Sequence, residues 1–181
     1  MAGLGPAIFI SPLRAQQLRK NAMTYYSTLR GYRFSGDQSC DIRGATVHAT
    51  TDEKLGQIDD VLFESSTGEI RYVAIDIGFL LSSRRFIVPA DRLHESIKHE
   101  GEFVVDMTKA QIEALPPFEP RAVESDEDWS AYETRYESRW PSTTTGRVGE
   151  RGRRWTAFEH RLRADRLRIL SYSPDGQRKA G

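Results

Sequence analysis

The sequence predicts a mainly β protein: a small antiparallel β-barrel with a short capping helix and helical C-terminal appendages. Three observations carry that prediction. Between Asp41 and Pro117 the β-branched and aromatic residues gather into short runs. Gly-, Asp- and Ser/Thr-rich turn signals separate those runs, and short strands joined by tight turns suit a barrel or a strongly bent sheet. Beyond Pro117 the aromatic residues change to steps of three and four, the period of a helix lying on a surface.

Residues 1–40 read as an N-terminal extension and lead-in segment, partly disordered. The apolar patch Ala7–Ile10 is bracketed by Pro6 and Pro12 and lacks a charged n-region, so no signal peptide is expected. No run approaches the roughly 18 apolar residues of a membrane span. Met23 is a candidate natural start, with residues 1–22 as an upstream extension. Tyr25, Tyr26, Tyr32 and Phe34 are expected to pack against the barrel, and Gly36–Asp37 ends the segment in a turn.

The barrel domain is expected over residues 41–117. Its first strand is Ala45–His48 and its second Leu55–Glu64. In the second, Val61 and Phe63 share a face while Ile58 falls on the other, and a bulge near Asp59–Asp60 is the simplest repair. Ser65–Gly68 is a hairpin loop with glycine where positive φ is needed. The third strand, Glu69–Asp76, is fairly apolar at both alternating sets of positions, which suits a strand covered on both faces. A loop over 78–83 leads to a fourth strand, Arg84–Pro89, ended by a proline that cannot donate to the ladder. A polar connection over 91–96 and a turn at His99–Gly101 precede the fifth, Glu102–Met107. Thr108 then caps a helix over 109–115, which Pro116 and Pro117 stop.

Residues 118–141 form an acidic aromatic helix in which Trp129, Tyr132, Tyr136 and Trp140 share one face. That stripe is expected to pack on the barrel wall, with self-association or a partner surface as the alternative. Residues 142–181 are a linker and a basic amphipathic C-terminal helix or tail. Trp155, Phe158 and Leu162 mark its apolar side; Arg151, Arg153, Arg154, Arg161, Arg163, Arg166 and Arg168 surround them. Such a helix latches onto the protein's own acidic body, or it meets RNA, an anionic membrane surface or a partner protein.

The run from Asp41 to Leu93 resembles the PRC-barrel family, named for the H subunit of the purple bacterial photosynthetic reaction centre. The matching elements are Asp41-Ile-Arg-Gly44, Leu55-Gly-Gln-Ile-Asp-Asp-Val61, Thr67–Gly68, Arg71-Tyr-Val-Ala-Ile-Asp76 with Gly78, and Phe86-Ile-Val-Pro89. The resemblance implies a small β-barrel used as a docking module, as also found at the C-terminus of a ribosome maturation factor. The sequence shows neither a membrane helix like that of the reaction-centre subunit nor, ahead of residue 41, the maturation factor's first β-domain. What remains is similar to stand-alone bacterial PRC-barrel proteins.

Charge is segregated along the 181 residues although Lys+Arg and Asp+Glu both number 26. Residues 1–40 hold five basic and one acidic side chain, 41–100 seven and eleven, 101–145 four and ten, and 146–181 ten and four. Basic ends and an acidic middle mark tails that fold back on the body or meet partners of their own. The single cysteine, Cys40, excludes an intramolecular disulfide and points to a reducing, cytoplasmic setting.

No catalytic constellation, cofactor motif or metal-ligand spacing is legible. His48, His94, His99 and His160 are spaced as neutral surface histidines, and Asp59–Asp60 reads as a bulge rather than an acid pair. Phe79, Leu80 and Leu81, followed by Arg84 and Arg85, are the candidate partner-binding residues: an apolar loop plugs the barrel end or stays exposed for docking. The basic-helix candidates are Arg153, Arg154, Arg161, Arg163, Arg166 and Arg168. The expected function is a non-enzymatic protein-interaction module, able to self-associate, with no cofactor. The alternative is an RNA- or ribosome-associated accessory factor using the basic helix.

Overall fold

A computed structural model describes residues 26–78, 84–139 and 151–172. Phe79, Leu80 and Leu81, Trp140 and the 142–149 linker lie outside the described residues. The strands are β1 (Tyr26–Thr28), β2 (Thr46–His48), β3 (Lys54–Glu64), β4 (Ile70–Asp76), β5 (Arg85–Pro89), β6 (Leu93–Glu95) and β7 (Phe103–Val105). The α-helices are α1 (Lys109–Glu113), α2 (Asp126–Arg139) and α3 (Arg153–Ser171). Single 3-10 turns at Ala90–Arg92 and Pro120–Val123 complete the order. None of these helices is long and apolar enough to cross a membrane.

One seven-stranded sheet runs β5-β4-β3-β2-β7-β6, with β1 added beside β3. The pairs are antiparallel except β2–β7, which is parallel. The mainly β architecture with helical appendages is as expected; among the described residues, however, one ladder is parallel, and the sheet does not close into a barrel by hydrogen bonds. The two strands ending the order, β5 and β6, are instead consecutive in the chain, joined through the 90–92 turn.

Two strands lie where the sequence suggested none. β1 belongs to the lead-in segment and β6 to the stretch read as a polar connection; at three residues each, neither carries a periodic signal of its own. The capping helix is also shorter than its pattern, although Thr108 and Gln111 form the full capping box.

Strand β3 organises the sheet because it is the longest, at 11 residues. One edge pairs with β4 from Gln57 to Phe63; the other pairs with β2 over its first half and β1 over its second. The register shifts between Ile58 and Asp60, so the expected bulge falls where the neighbour changes from β2 to β1. Bulging leaves backbone groups in need of partners, and Asp60 supplies them. Its Oδ1 accepts from Leu29 N at 3.0 Å and Val61 N at 2.8 Å, and its Oδ2 from Arg30 N at 3.3 Å.

Burial pushes the Asp60 carboxyl above its ordinary value of 3.8, against the pull of those three amides. A raised folded-state value means the proton is held more tightly in the folded chain. Asp60 thus adds stability below pH 3.8, and that contribution is lost as pH rises through the folded value. Asp60→Asn is expected to flatten this loss. Asp60→Ala, which strands the amides, is expected to cost about 1–3 kcal/mol near neutral pH. Thermal melts between about pH 4 and pH 7 check both.

The core forms where β3, β4 and β5 contribute Val61, Phe63, Val73, Ile75, Phe86 and Val88, all at most 1% exposed. Ile70 and Ala74 are buried on the opposite parity of β4, as its doubly apolar pattern implied. Two helices supply the cover. The aromatic stripe of α2 packs on the sheet: Trp129 lies tilted against Tyr26 and Tyr72, Tyr132 meets Phe118 edge-on, and the Tyr132 hydroxyl donates to the Pro116 carbonyl at 3.1 Å. Helix α3 buries Trp155, Phe158, Leu162 and Ile169, with Phe158 edge-on to Phe34 at 5.7 Å.

Candidate functional site

The sequence candidates fall on two surfaces. Arg84 is exposed just before β5, and Arg85 opens that strand opposite Asp76 on β4. Arg85 lines a cleft of about 530 Å³ that also takes in Arg30, Gly31, Arg43, Asp59, Asp60, Phe118 and Glu124. The elements at its rim explain the shape. Arg30 and Gly31 turn the chain sharply away from β1 with φ of 49° and 80°. Arg30 makes no ion pair among the described residues, whereas the other two arginines are fixed. Arg43 Nε sits 3.0 and 3.1 Å from the two Asp41 carboxylate oxygens and its guanidinium lies over the Phe34 ring; Arg85 Nε lies 2.9 Å from Asp59 Oδ2.

The two adjacent aspartates of the bulge thus reach one cleft, but each is already engaged. Asp59 holds Arg85, and Asp60 holds three backbone amides. Guanidinium groups fixed by ion pairs beside a ring and a proline present planar donors to a carboxylate-bearing ligand.

The basic helix is a strap across the sheet's loops, and its arginines divide into two sets. Arg154 donates to the Gly101 and Asp41 carbonyls, Arg161 to those of Ser35 and Asp37, and Arg166 to that of Ser66. Arg153, Arg163 and Arg168 point outward, Arg163 pairing with Glu159 and Arg168 with Asp165 on the helix itself. The latch reading needs one correction. The inward arginines grip backbone carbonyls of turns, not the acidic side chains that the charge pattern suggested, because the apolar face brings them over loops whose carbonyls have no ladder partner. Glu95 of β6 completes the strap by accepting from Trp155 N at 2.9 Å, a carboxylate at a helix N-terminus.

A third cluster was not legible. Parallel pairing of β2 with β7 sets His48 opposite Val104, next to Glu102. His48 is only 8% exposed, so it is not the surface histidine expected. Its ring stacks on His99 with centroids 4.5 Å apart and planes 11° from parallel. Its Nε2 lies 2.5 Å from Glu102 Oε2, and that hydrogen bond holds the Glu102 carboxyl below its usual range. Asp52 faces the same group, its Oδ1 3.2 Å from His99 Nε2 and its Oδ2 3.0 Å from Lys98 Nζ. His94 stands apart beside Asp106, and His160 is exposed on α3. The only sequence signal for the cluster was the His99-x-x-Glu102 turn. Its partner is 54 residues earlier than Glu102, and only a parallel ladder reveals it.

Comparison with known proteins agrees with this geometry. Over 75 residues the chain is 29% identical to an uncharacterized protein of Deinococcus radiodurans, a match covering 41% of this chain and 27% of that protein's length. The model of the PRC-barrel domain matches residues 36–112, a span that holds β2 through β7 and leaves β1, α2 and α3 outside it. The β-rich part of this chain, residues 36–112, is thus the stretch that matches the PRC-barrel domain.

Proposed function

We propose that the chain is a non-enzymatic docking module whose partner is a protein presenting an acidic segment to the cleft between β1, β5 and Phe118. The observation that carries this reading is the set of three arginines around that cleft, two of them held by Asp41 and Asp59 and one, Arg30, without an ion pair among the described residues. Prefixed guanidinium groups lose little freedom on binding a carboxylate, which favours recognition over chemistry. Two of the cleft's three carboxylates support the same reading, since Asp59 is ion-paired to Arg85 and Asp60 accepts from backbone amides. Arg84 is exposed and directly precedes Arg85 in the chain.

A second reading keeps the RNA- or ribosome-associated role, with Arg153, Arg163 and Arg168 as phosphate contacts on the outward side of α3. It is the weaker of the two because Arg154, Arg161 and Arg166 are already spent on the protein's own carbonyls.

Truncating the chain ahead of α3 would uncover Phe34 and its neighbours, so charge reversal is the sharper test. Affinity capture is run with the full chain, with Arg30→Glu/Arg85→Glu, and with Arg153→Glu/Arg163→Glu/Arg168→Glu. The docking reading expects a protein retained by the full chain and by the α3 variant but lost, at least tenfold or about 1.4 kcal/mol, from the cleft variant. Nucleic acid lost only from the α3 variant would transfer the function to the helix.

A further inference from the structure

The contact between His48 and Glu102 contains a chemical requirement that the docking reading does not use. His48 Nδ1 lies 3.3 Å from the backbone carbonyl of Asp52, which can only accept, so Nδ1 keeps its hydrogen. In the neutral ring Nε2 then presents a lone pair, and it faces a carboxylate oxygen 2.5 Å away. Two lone pairs at that distance repel, so in the metal-free chain the pair shares a proton, and a cation taking both atoms as ligands must displace that proton and part them. A ring whose far N–H is anchored to a backbone carbonyl while its near nitrogen faces other donors is the outer-shell arrangement that orients metal-bound histidines.

The other donors are placed to join it. His99 and Glu102 are carried on one turn, closed by Glu102 N donating to the His99 carbonyl at 3.1 Å and by Gly101 with φ of 76°. One ligand atom from each of His48, His99 and Glu102 falls within 4.8 Å of the others. Bonds of about 2.0–2.2 Å from a tetrahedral ion would set such atoms roughly 3.3 Å apart. The partly exposed Glu102 carboxylate widens its 2.5 Å contact with His48 by swinging outward, and the half-exposed His99 ring turns in to complete the set. Arg154, donating to the Gly101 carbonyl from α3, holds the loop in place, and Asp52 adds a neighbouring negative charge that it shares with Lys98.

We propose that His48, His99 and Glu102 form a binding site for one divalent transition-metal ion of the zinc type, with two imidazole nitrogens and one carboxylate oxygen as ligands. The site goes beyond the docking function and does not depend on it.

The test uses the full chain. Cobalt(II) is titrated as a spectroscopic probe, and zinc(II) is then added in competition. The wild-type chain is expected to take up one cobalt ion with the intense visible bands of a four-coordinate site, and zinc is expected to displace it. His99→Ala/Glu102→Gln is expected to bind at least about tenfold more weakly, since loss of even an outer-shell partner commonly costs that much. Both replaced side chains are partly exposed, and thermal melts in metal-free buffer verify that the variant is folded. Zinc should raise the melting temperature of the wild type and leave that of the variant unmoved. Equal uptake by both chains, or saturable uptake by neither at micromolar metal, overturns the proposal.

Discussion

Gly56→Ala is expected to be the most damaging single-methyl change in the protein. A Cβ at this position would lie 1.9 Å from the Asp76 carbonyl oxygen, 2.9 Å from its carbon and 3.2 Å from Ile77 Cα. All three atoms are backbone, so no side-chain rotation relieves the clash. The cause is local to the sheet: Gln57 faces Asp76 as the last pair of the β3–β4 ladder, and the chain leaving β4 passes directly over Gly56. The requirement is one of space, not of dihedral angle. Relief needs the β3–β4 register to move, and that register carries Val61 against Val73 in the core. Overpacking a close-packed interior costs about 1–3 kcal/mol and more when backbone must shift, so a loss of at least about 3 kcal/mol is expected. For a chain of this size that corresponds to a melting temperature lowered by about 6–12 °C. A melt within about 2 °C of wild type would show that the β4 exit moves freely, contrary to this account.

Trp155→Ala is the second. Trp155 is 1% exposed, stands one turn ahead of Phe158 and two ahead of Leu162, and carries the Arg151 guanidinium over its ring at 5.6 Å. Removing the ring opens a cavity at the N-terminal anchor of α3, at an expected cost of about 3–5 kcal/mol. Because the inward arginines reach their carbonyls only while the helix is seated, the loss should release the whole strap. Faster hydrogen exchange and earlier proteolysis across residues 153–171 are the readouts. Trp155 Nε1 is buried with no hydrogen-bond partner among the described residues, so Trp155→Phe keeps an aromatic ring and removes an unsatisfied donor. It should therefore cost much less than the alanine. Arg168→Ala, whose side chain is 74% exposed, should stay within about 0.5 kcal/mol. If Trp155→Ala leaves exchange in α3 unchanged, the helix is held by something other than its apolar face.

What could be read from the sequence followed from local pattern. The bulge at Asp59–Asp60 was visible as a break in the alternation of Ile58, Val61 and Phe63; the glycine of the Ser65–Gly68 loop and the Thr108 cap were visible as turn and cap chemistry. The aromatic stripe of α2 and the apolar face of α3 were visible as helical spacing, and both faces are turned inward. The misses share one cause. β1 and β6 are three residues each and take their identity from the neighbours they pair with, Glu64 to Leu62 for β1 and Val105 to Phe103 for β6. The parallel β2–β7 ladder, and with it the His48–His99–Glu102 cluster, joins segments whose contact no local period encodes. The same holds for the α3 arginines, whose charge pattern suggested carboxylate partners while the loops beneath them offered carbonyls. Arg85 was singled out for the apolar loop before it, and its place beside Asp59, Arg30 and Arg43 came only from the sheet.

Sequence separation also orders how the molecule assembles. The β3–β4–β5 meander and the β6–β7 hairpin each pair neighbouring stretches, whereas Val47 must find Phe103 across the longest span of any pairing in the sheet. Closing so large a loop adds only slowly to its entropic cost, but distant pairings lengthen the conformational search. The parallel ladder is thus the seam at which two locally built pieces are welded, and the buried imidazole of β2 meets its carboxylate only once that weld is made.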